Sequence, residues 1–289
     1  MSKFKKLNIC LVIVACLMCV LVCGAALADE GVTDAAPAET PVYIDGLLSC
    51  RGYMIGDFTY LPIETACAVL GYAADTSFDE DSMTYTFNID SIELTLSVDD
   101  KCVCANGRCF YLPDGYQEIE GLPALPIDIL AKLFTLSVDY DEDTGIYDLG
   151  TENMALLISG DQYYNEEDLY WMSRVISYEA GNQPLEGQIG VGAVVMNRVK
   201  SDKFADTVKD VIFQPGQFNP VETKAIYLDP YKRCVLVAEM VLEGYNTVDD
   251  ALYFHQGNYS EKFTSENDAF VVKIGCHNFF RNIDILKHA

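Results

Sequence analysis

The chain has 289 residues, with 44 Asp and Glu against 19 Lys and Arg, for a formal net charge of −25. That balance repels nucleic acid and anionic lipid surfaces, which excludes the binding modes that need a basic footprint. Half of the residues are hydrophobic, enough for a chain of this length to bury a core without disulfide staples.

The N-terminus reads Met1-Ser-Lys3-Phe-Lys5-Lys6, runs apolar from Ile9 to Leu27, and reaches Ala26-Leu-Ala28 before Asp29. A basic start, an apolar stretch and a small-x-small exit predict a secretory signal peptide over residues 1–28, removed by signal peptidase. The apolar run is also long enough for a membrane anchor, but its small-residue exit favours cleavage. Lipoprotein processing at Cys19 or Cys23 is disfavoured by the large residues Met18 and Val22 before them. Residues 29–40 are small and acidic and read as a linker.

Beyond the leader lie seven cysteines: Cys50, Cys67, Cys102, Cys104, Cys109, Cys234 and Cys276. An odd count leaves at least one free or paired between chains. Cys102, Cys104 and Cys109 crowd one short stretch with no His nearby, so hairpin cysteines that pack or pair are expected there and not a metal cluster.

Residues 41–150 carry an internal repeat. Tyr60-Leu-Pro-Ile-Glu64 recurs as Ala124-Leu-Pro-Ile-Asp128, and each copy is expected to open a short helix with proline at its second position. An acidic turn follows in each, Phe78-Asp-Glu-Asp81 and Tyr140-Asp-Glu-Asp143, then a strand, Met83 to Phe87 and Gly145 to Leu149. The pattern predicts a small α+β domain built from a duplicated helix-then-hairpin unit. Val42-Tyr-Ile-Asp-Gly46, Tyr60-Leu-Pro-Ile63 and Leu125-Pro-Ile127 resemble the copper amine oxidase N-terminal-like domain of secreted bacterial proteins. The region contains no histidine, so the resemblance implies a stalk or wall-positioning module without copper.

A break is expected near Gly160-Asp-Gln162, and residues 162–289 follow a different pattern. Asn165 is a candidate N-cap, with Glu166-Glu-Asp168 putting negative charge on the first turn. That helix is expected to stop at Gly181, and a second runs from about Leu185 to Val199. The second contains Gly190-Val-Gly-Ala193, small residues that allow close helix approach. A short helix over Thr207–Phe213 leads into Gln214-Pro-Gly-Gln-Phe-Asn-Pro220. Asp229-Pro230 is expected to cap and start a helix running to Gly244. Two extended segments, Ala251–His255 and Phe270–Ile274, complete a mainly helical domain with a small β-hairpin.

The chemistry concentrates at the end of the first of these helices. Leu169, Met172, Val175 and Ile176 recur at three- and four-residue spacing, and Glu179 falls on the same stripe. A carboxyl aimed inward there loses solvation, and its pKa should rise towards the range of a general acid for glycosidic-bond cleavage. Glu186 is expected to serve structure at a helix start, and Glu222 is a weaker candidate for the cleft. Gln214, Gln217 and Asn219 punctuate a Pro/Gly loop suited to hydrogen-bonding sugar groups, and Tyr253 offers a face for stacking. Asn197 is expected to hold helices together, and His288 to be solvated at the terminus. No His-x-x-x-His spacing supports zinc, and Cys276 beside His277 points to the opposite strand face and is expected in the core. No cofactor is expected.

Arg174-Val-Ile-Ser-Tyr-Glu-Ala180, Glu186-Gly-Gln188, Gly192-Ala-Val-Val-Met-Asn-Arg-Val199, Val211-Ile-Phe-Gln-Pro-Gly-Gln-Phe218, Ala251-Leu-Tyr-Phe254 and Ile274-Gly-Cys-His-Asn-Phe279 together resemble the cell wall hydrolase family that includes the spore cortex-lytic enzymes. The resemblance implies a lysozyme-like fold, cleavage of peptidoglycan glycan strands, Glu179 as the catalytic acid, and His277 in the cleft wall. It also implies a secreted or wall-associated location, the spore cortex among the options. Many members have Glu-Ala-Arg-Gly-Glu where this chain has Glu179-Ala-Gly-Asn-Gln183, so the second acid is missing here. That departure favours one-carboxylate lytic transglycosylase chemistry over a two-carboxylate glycosidase. A non-catalytic wall-binding protein and an amidase that cuts the peptide stem are the competing readings.

Overall fold

A hairpin of β1 (Ala38–Ile44) and β2 (Leu47–Ile55) opens the described part of the chain, turning at Asp45-Gly46 with both residues at positive φ, as a two-residue hairpin turn requires. The computed structural model describes residues 37–98, 100–218, 221, 223–259 and 269–282. The expected signal peptide, Asn219, Glu222 and His288 lie outside them. Ala38, Glu39 and Thr40, read as the end of a linker, belong to β1.

The β-rich part continues with β3 (Phe58–Pro62), α1 (Ile63–Val69), β4 (Asp75–Asp79), β5 (Thr84–Ile89), β6 (Ile92–Ser97), β7 (Cys102–Ala105) and β8 (Arg108–Tyr111). Next come β9 (Gln117–Ile119), β10 (Leu122–Pro126), α2 (Ile127–Phe134), β11 (Ser137–Asp141) and β12 (Ile146–Gly150). Both Leu-Pro-Ile segments close a strand and open a helix. Pro62 and Pro126 are N-caps with extended backbone, two steps earlier than the second helical position expected from sequence. A hairpin follows each helix, β4–β5 and β11–β12. Met83 is the turn residue at φ 50 before β5 and not its first strand residue.

Two sheets result. One has seven strands in the order β11-β12-β1-β2-β3-β10-β9, with β1 and β12 parallel; the other is the meander β4-β5-β6-β7-β8. Phe87, Leu94, Val103 and Phe110 from the meander pack with Leu61, Leu125, Leu130 and Phe134 in one core.

The helical part comprises α3 (Gly160–Tyr163), α4 (Glu166–Ala180), α5 (Leu185–Val199), α6 (Val208–Phe213) and α7 (Lys232–Leu242). Three strands complete it: β13 (Tyr253–Gln256), β14 (Phe270–Ile274) and β15 (His277–Phe280), ordered β13-β15-β14. The two extended segments expected from sequence are β13 and β14, but they do not pair with each other: β15, which was not expected, lies between them and forms the hairpin with β14. Overall the chain is a mixed α+β structure. Gly192 lets α5 approach its neighbours: a Cβ there would meet Val241 at 2.7 Å and Ile176 at 2.9 Å. The Asn165 side chain accepts from the backbone N–H groups of Glu167 (2.9 Å) and Asp168 (3.2 Å), which would otherwise be unpaired at the start of α4. Asn165→Ala should therefore cost about 1 kcal/mol in urea-induced unfolding; an unchanged midpoint would show that water replaces the cap.

The described residues form one compact unit. The β7–β8 hairpin joins the β-rich part to the helices. Its turn, Asn106-Gly107, accepts the Gly160 N–H at 2.8 Å, and Cys104 and Cys109 are directly opposed and disulfide-bonded. Cys109 and Tyr111 pack in the same core as Met172, Ile176, Val237 and Met240. Arg108 donates to both carboxylate oxygens of Glu243, at 2.6 and 2.9 Å, and the Tyr164 hydroxyl donates to the same carboxylate at 2.8 Å.

Candidate active site

Glu179 lies in the last turn of α4, one residue before the helix ends. The stripe that carries it is buried: Met172, Val175 and Ile176 have no exposed surface. Gly181 caps the helix end, and only glycine fits there: a Cβ would strike the Ser177 carbonyl and the Tyr231 ring. Gln188, buried in α5, then ties the two helices together, its amide donating to the carbonyls of Gly181 (3.3 Å) and Gln183 (3.0 Å). These contacts set the direction in which Glu179 projects.

Glu179 is half-buried and faces a cleft whose walls include Arg198, Gln217, Phe254, His255, Gln256 and His277. Burial alone pushes its carboxyl up to about 7. No hydrogen bond or ion pair to it occurs among the described residues, so nothing within them holds the charged form. A carboxyl in this state carries a proton near neutral pH and can give it to a leaving oxygen. If Glu179 acts as the acid, the rate should fall with unit slope as pH rises above roughly 7, the range in which the required proton is lost. A flat profile to pH 9 would count against that role. The same shift has a sign for stability. The folded form binds the proton more tightly than the unfolded form, so the stabilisation is full below the ordinary carboxyl range and is lost as pH rises through about 7.

His277, in β15, is fully buried and stands edge-on to Phe254 with ring centroids 5.1 Å apart. Burial holds its pKa below the usual imidazole range, so the ring is neutral. The Gln256 amide approaches its Nε2 at 3.3 Å, and its Nδ1 is buried without a partner. His255, on the same rim, meets the Tyr259 hydroxyl at 2.9 Å.

Gln217 and His277, expected in the cleft from sequence, are there with Glu179. Gln214 and Tyr253 are not. Gln214 ends α6, with its amide oxygen buried and unpaired. Tyr253 packs against Phe204 (centroids 6.0 Å apart) and the Arg198 guanidinium instead of facing the cleft. Cys276 is exposed in the β14–β15 turn, contrary to the core position expected, because the strand ends at Ile274 and the turn lifts the thiol into solvent. Gln183 accepts the Cys276 N–H at 3.0 Å, so the amide at the position of the missing second acid holds this turn. Glu186 pairs with Lys101 at 2.8 Å and accepts from Tyr111 at 3.2 Å. The hydrogen bond from Lys101 keeps its carboxyl below the usual range, unsuited to donating a proton. Asn197 donates to the Asp249 and Ala251 carbonyls at 2.7 and 2.9 Å, which pins the approach to β13.

Sequence reasoning missed Arg198, Phe254, His255 and Gln256 as cleft residues. Arg198 had a readable signal: it follows Val191, Val194 and Val195 at the spacing of a buried stripe, as Glu179 does on α4. The three residues of β13 reach the cleft only through tertiary pairing with β15. Among the described residues no group of three His, Cys, Asp or Glu side chains could hold a metal ion.

Residues 182–280, which make up most of the helical part, match the model of the cell wall hydrolase family. The match opens three residues beyond Glu179. Residues 48–148 match the copper amine oxidase N-terminal domain. Among curated relatives is a spore cortex-lytic enzyme of Oceanobacillus iheyensis, 34% identical over 113 residues, covering 39% of this chain and 38% of that protein. Another is the spore cortex-lytic enzyme of Bacillus cereus, 31% identical over 116 residues, covering 40% of this chain and 45% of that protein. The chain thus spans about two fifths of the length of the curated relatives it matches. Among solved structures, the catalytic domain of the germination-specific lytic transglycosylase SleB from Bacillus anthracis is 31% identical, with 40% of this chain and 96% of that one covered and a TM-score of 0.36.

Proposed function

We propose that this chain is an exported enzyme that degrades peptidoglycan, cleaving the glycan strand between N-acetylmuramic acid and N-acetylglucosamine as a lytic transglycosylase. The observation that carries the reading is the state of Glu179: a carboxyl pushed up to about 7 by burial, in a cleft whose described lining contains no second carboxyl. The family match and the spore cortex-lytic relatives support a glycan of the wall as substrate.

In the first step the protonated Glu179 gives its proton to the glycosidic oxygen, and the bond from that oxygen to the muramyl anomeric carbon breaks. The muramyl N-acetyl oxygen assists at the anomeric carbon as the bond breaks. In the second step the Glu179 carboxylate takes the proton from the muramyl 6-hydroxyl as that oxygen closes onto the anomeric carbon. The product carries a 1,6-anhydro end and Glu179 is protonated again, so no water is consumed and no second carboxylate is needed. Gln217 and Gln256 are placed to hydrogen-bond sugar substituents at the rim.

In this reading residues 1–28 are the signal peptide, residues 41–150 a wall-positioning module with an internal duplication, and residues 162–289 the lysozyme-like catalytic domain. The location is extracytoplasmic, in the wall or the spore cortex. Mass spectrometry of the fragments released from purified sacculi tests the chemistry. Anhydro-muramyl ends are expected; reducing muramyl ends would replace the transglycosylase with a muramidase, and no fragment release would favour a wall-binding protein.

A further inference from the structure

The cleft beside Glu179 contains a cation that the reaction above does not use. Arg198, at the end of α5, is 4% exposed yet lines the cleft. Its Nε–H donates to the Leu252 carbonyl at 2.8 Å. The rings of Phe204, Phe218 and Tyr253 surround the guanidinium at 4.9, 5.1 and 5.4 Å. Its Nη1 is buried with no acceptor, and no carboxylate among the described residues pairs with it. Burial lowers the pKa of Arg198 to about 10, which leaves it charged at neutral pH.

A buried cation without an anion is strongly unfavourable unless a ligand supplies the partner. The aromatic box and the Leu252 carbonyl fix the guanidinium plane, and a fixed fork of N–H donors suits a carboxylate better than a single sugar hydroxyl. The two sugars of a peptidoglycan strand differ in one group. Muramic acid carries a lactyl ether that ends in a carboxylate, free where the stem peptide is absent and an amide where it is present.

We propose that Arg198 binds the lactyl carboxylate of a peptide-free muramic acid residue, so that the cleft distinguishes the two sugars and sets the strand in register over Glu179. This rests on the glycan-cleaving reading. The neutral His277, with its own buried Nδ1 unpartnered in the same wall, supplies no charge there, and Arg198 is the only Arg or Lys in the described lining.

The test is a binding measurement with the full chain carrying Glu179→Gln, which prevents turnover. The probes are a muramyl tetrasaccharide with free lactyl carboxylates and the same tetrasaccharide with those groups converted to N-methylamides. Calorimetry should give at least about tenfold tighter binding of the acid form. The preference should shrink as salt is raised, and it should fall to parity when Arg198→Gln is added to a protein whose circular dichroism is unchanged. The salt titration needs only the first variant, so it decides the matter even where Arg198→Gln fails to fold. Equal binding of both forms to Glu179→Gln would overturn the carboxylate site and leave the glycan reading standing. A preference that survives Arg198→Gln in the folded protein would place the anion elsewhere and overturn it too. Binding of neither probe would overturn both.

Discussion

Glu179→Gln is expected to lower the release of soluble fragments from purified sacculi by about a thousandfold or more, with the fold intact. Proton transfer by a placed side chain contributes about a hundred- to ten-thousandfold to a rate. In the proposed reaction one group performs both transfers, giving a proton to the leaving oxygen and taking one from the 6-hydroxyl, so the upper part of that range applies. Glutamine keeps the shape of the side chain and the contacts of its methylenes. It has no proton to give at neutral pH and no carboxylate to receive one. The carboxyl is already largely neutral near pH 7, so the neutral amide should cost little stability, and above that pH it removes a buried charge. Circular dichroism and the unfolding midpoint should match the wild type while activity is lost. Wild-type-like fragment release from the variant would reject Glu179 as the acid and leave the cleft without one among its described residues.

Glu179 was legible because an α-helix repeats every 3.6 residues, so its distance from Ile176 and Met172 already placed it on the inward face. The two helices either side of Gly181 and the Asn165 cap were legible for similar local reasons. The start of α7 was not. Asp229-Pro230 has the composition of a helix start, yet the helix begins at Lys232, because the Tyr231 N–H donates to Ser177 Oγ of α4 at 3.0 Å and the chain is tethered there first. That is a tertiary contact between residues 54 apart, and no local pattern encodes it. The cleft divides in the same way. Glu179 and Gln217 stand in segments whose composition announces them, and His277 was implied by the family resemblance, whereas Phe254, His255 and Gln256 join the wall through the register of β13 on β15. The joining of the β-rich and helical parts was the least legible. Arg108 and Glu243 are 135 residues apart, and no local pattern pairs them.

The second large effect belongs to that pair. Glu243→Ala is expected to destabilise the chain by about 3–5 kcal/mol in urea-induced unfolding, the cost of leaving a buried cation unpaired. The side chain of Arg108 is 7% exposed and that of Glu243 is 1% exposed, so water cannot take the place of the lost partner. The Tyr164 hydroxyl loses its acceptor in the same step. Burial, and then the Glu243 charge, push the Glu239 carboxyl one turn earlier on α7 up to about 7, so Glu243→Ala should also lower that pKa. Removing both ends is expected to behave differently. In Arg108→Met/Glu243→Leu no fully buried charge is stranded, since Lys132, which also approaches Glu243 at 3.7 Å, is 38% exposed, and well-packed apolar replacements of buried ion pairs are often neutral or better. The double variant should recover most of the stability lost in Glu243→Ala. A double variant as unstable as the single one would show that packing around the hairpin, and not the stranded charge, sets the cost. A Glu243→Ala midpoint within error of the wild type would mean that the β7–β8 hairpin holds to the helices through its apolar contacts alone.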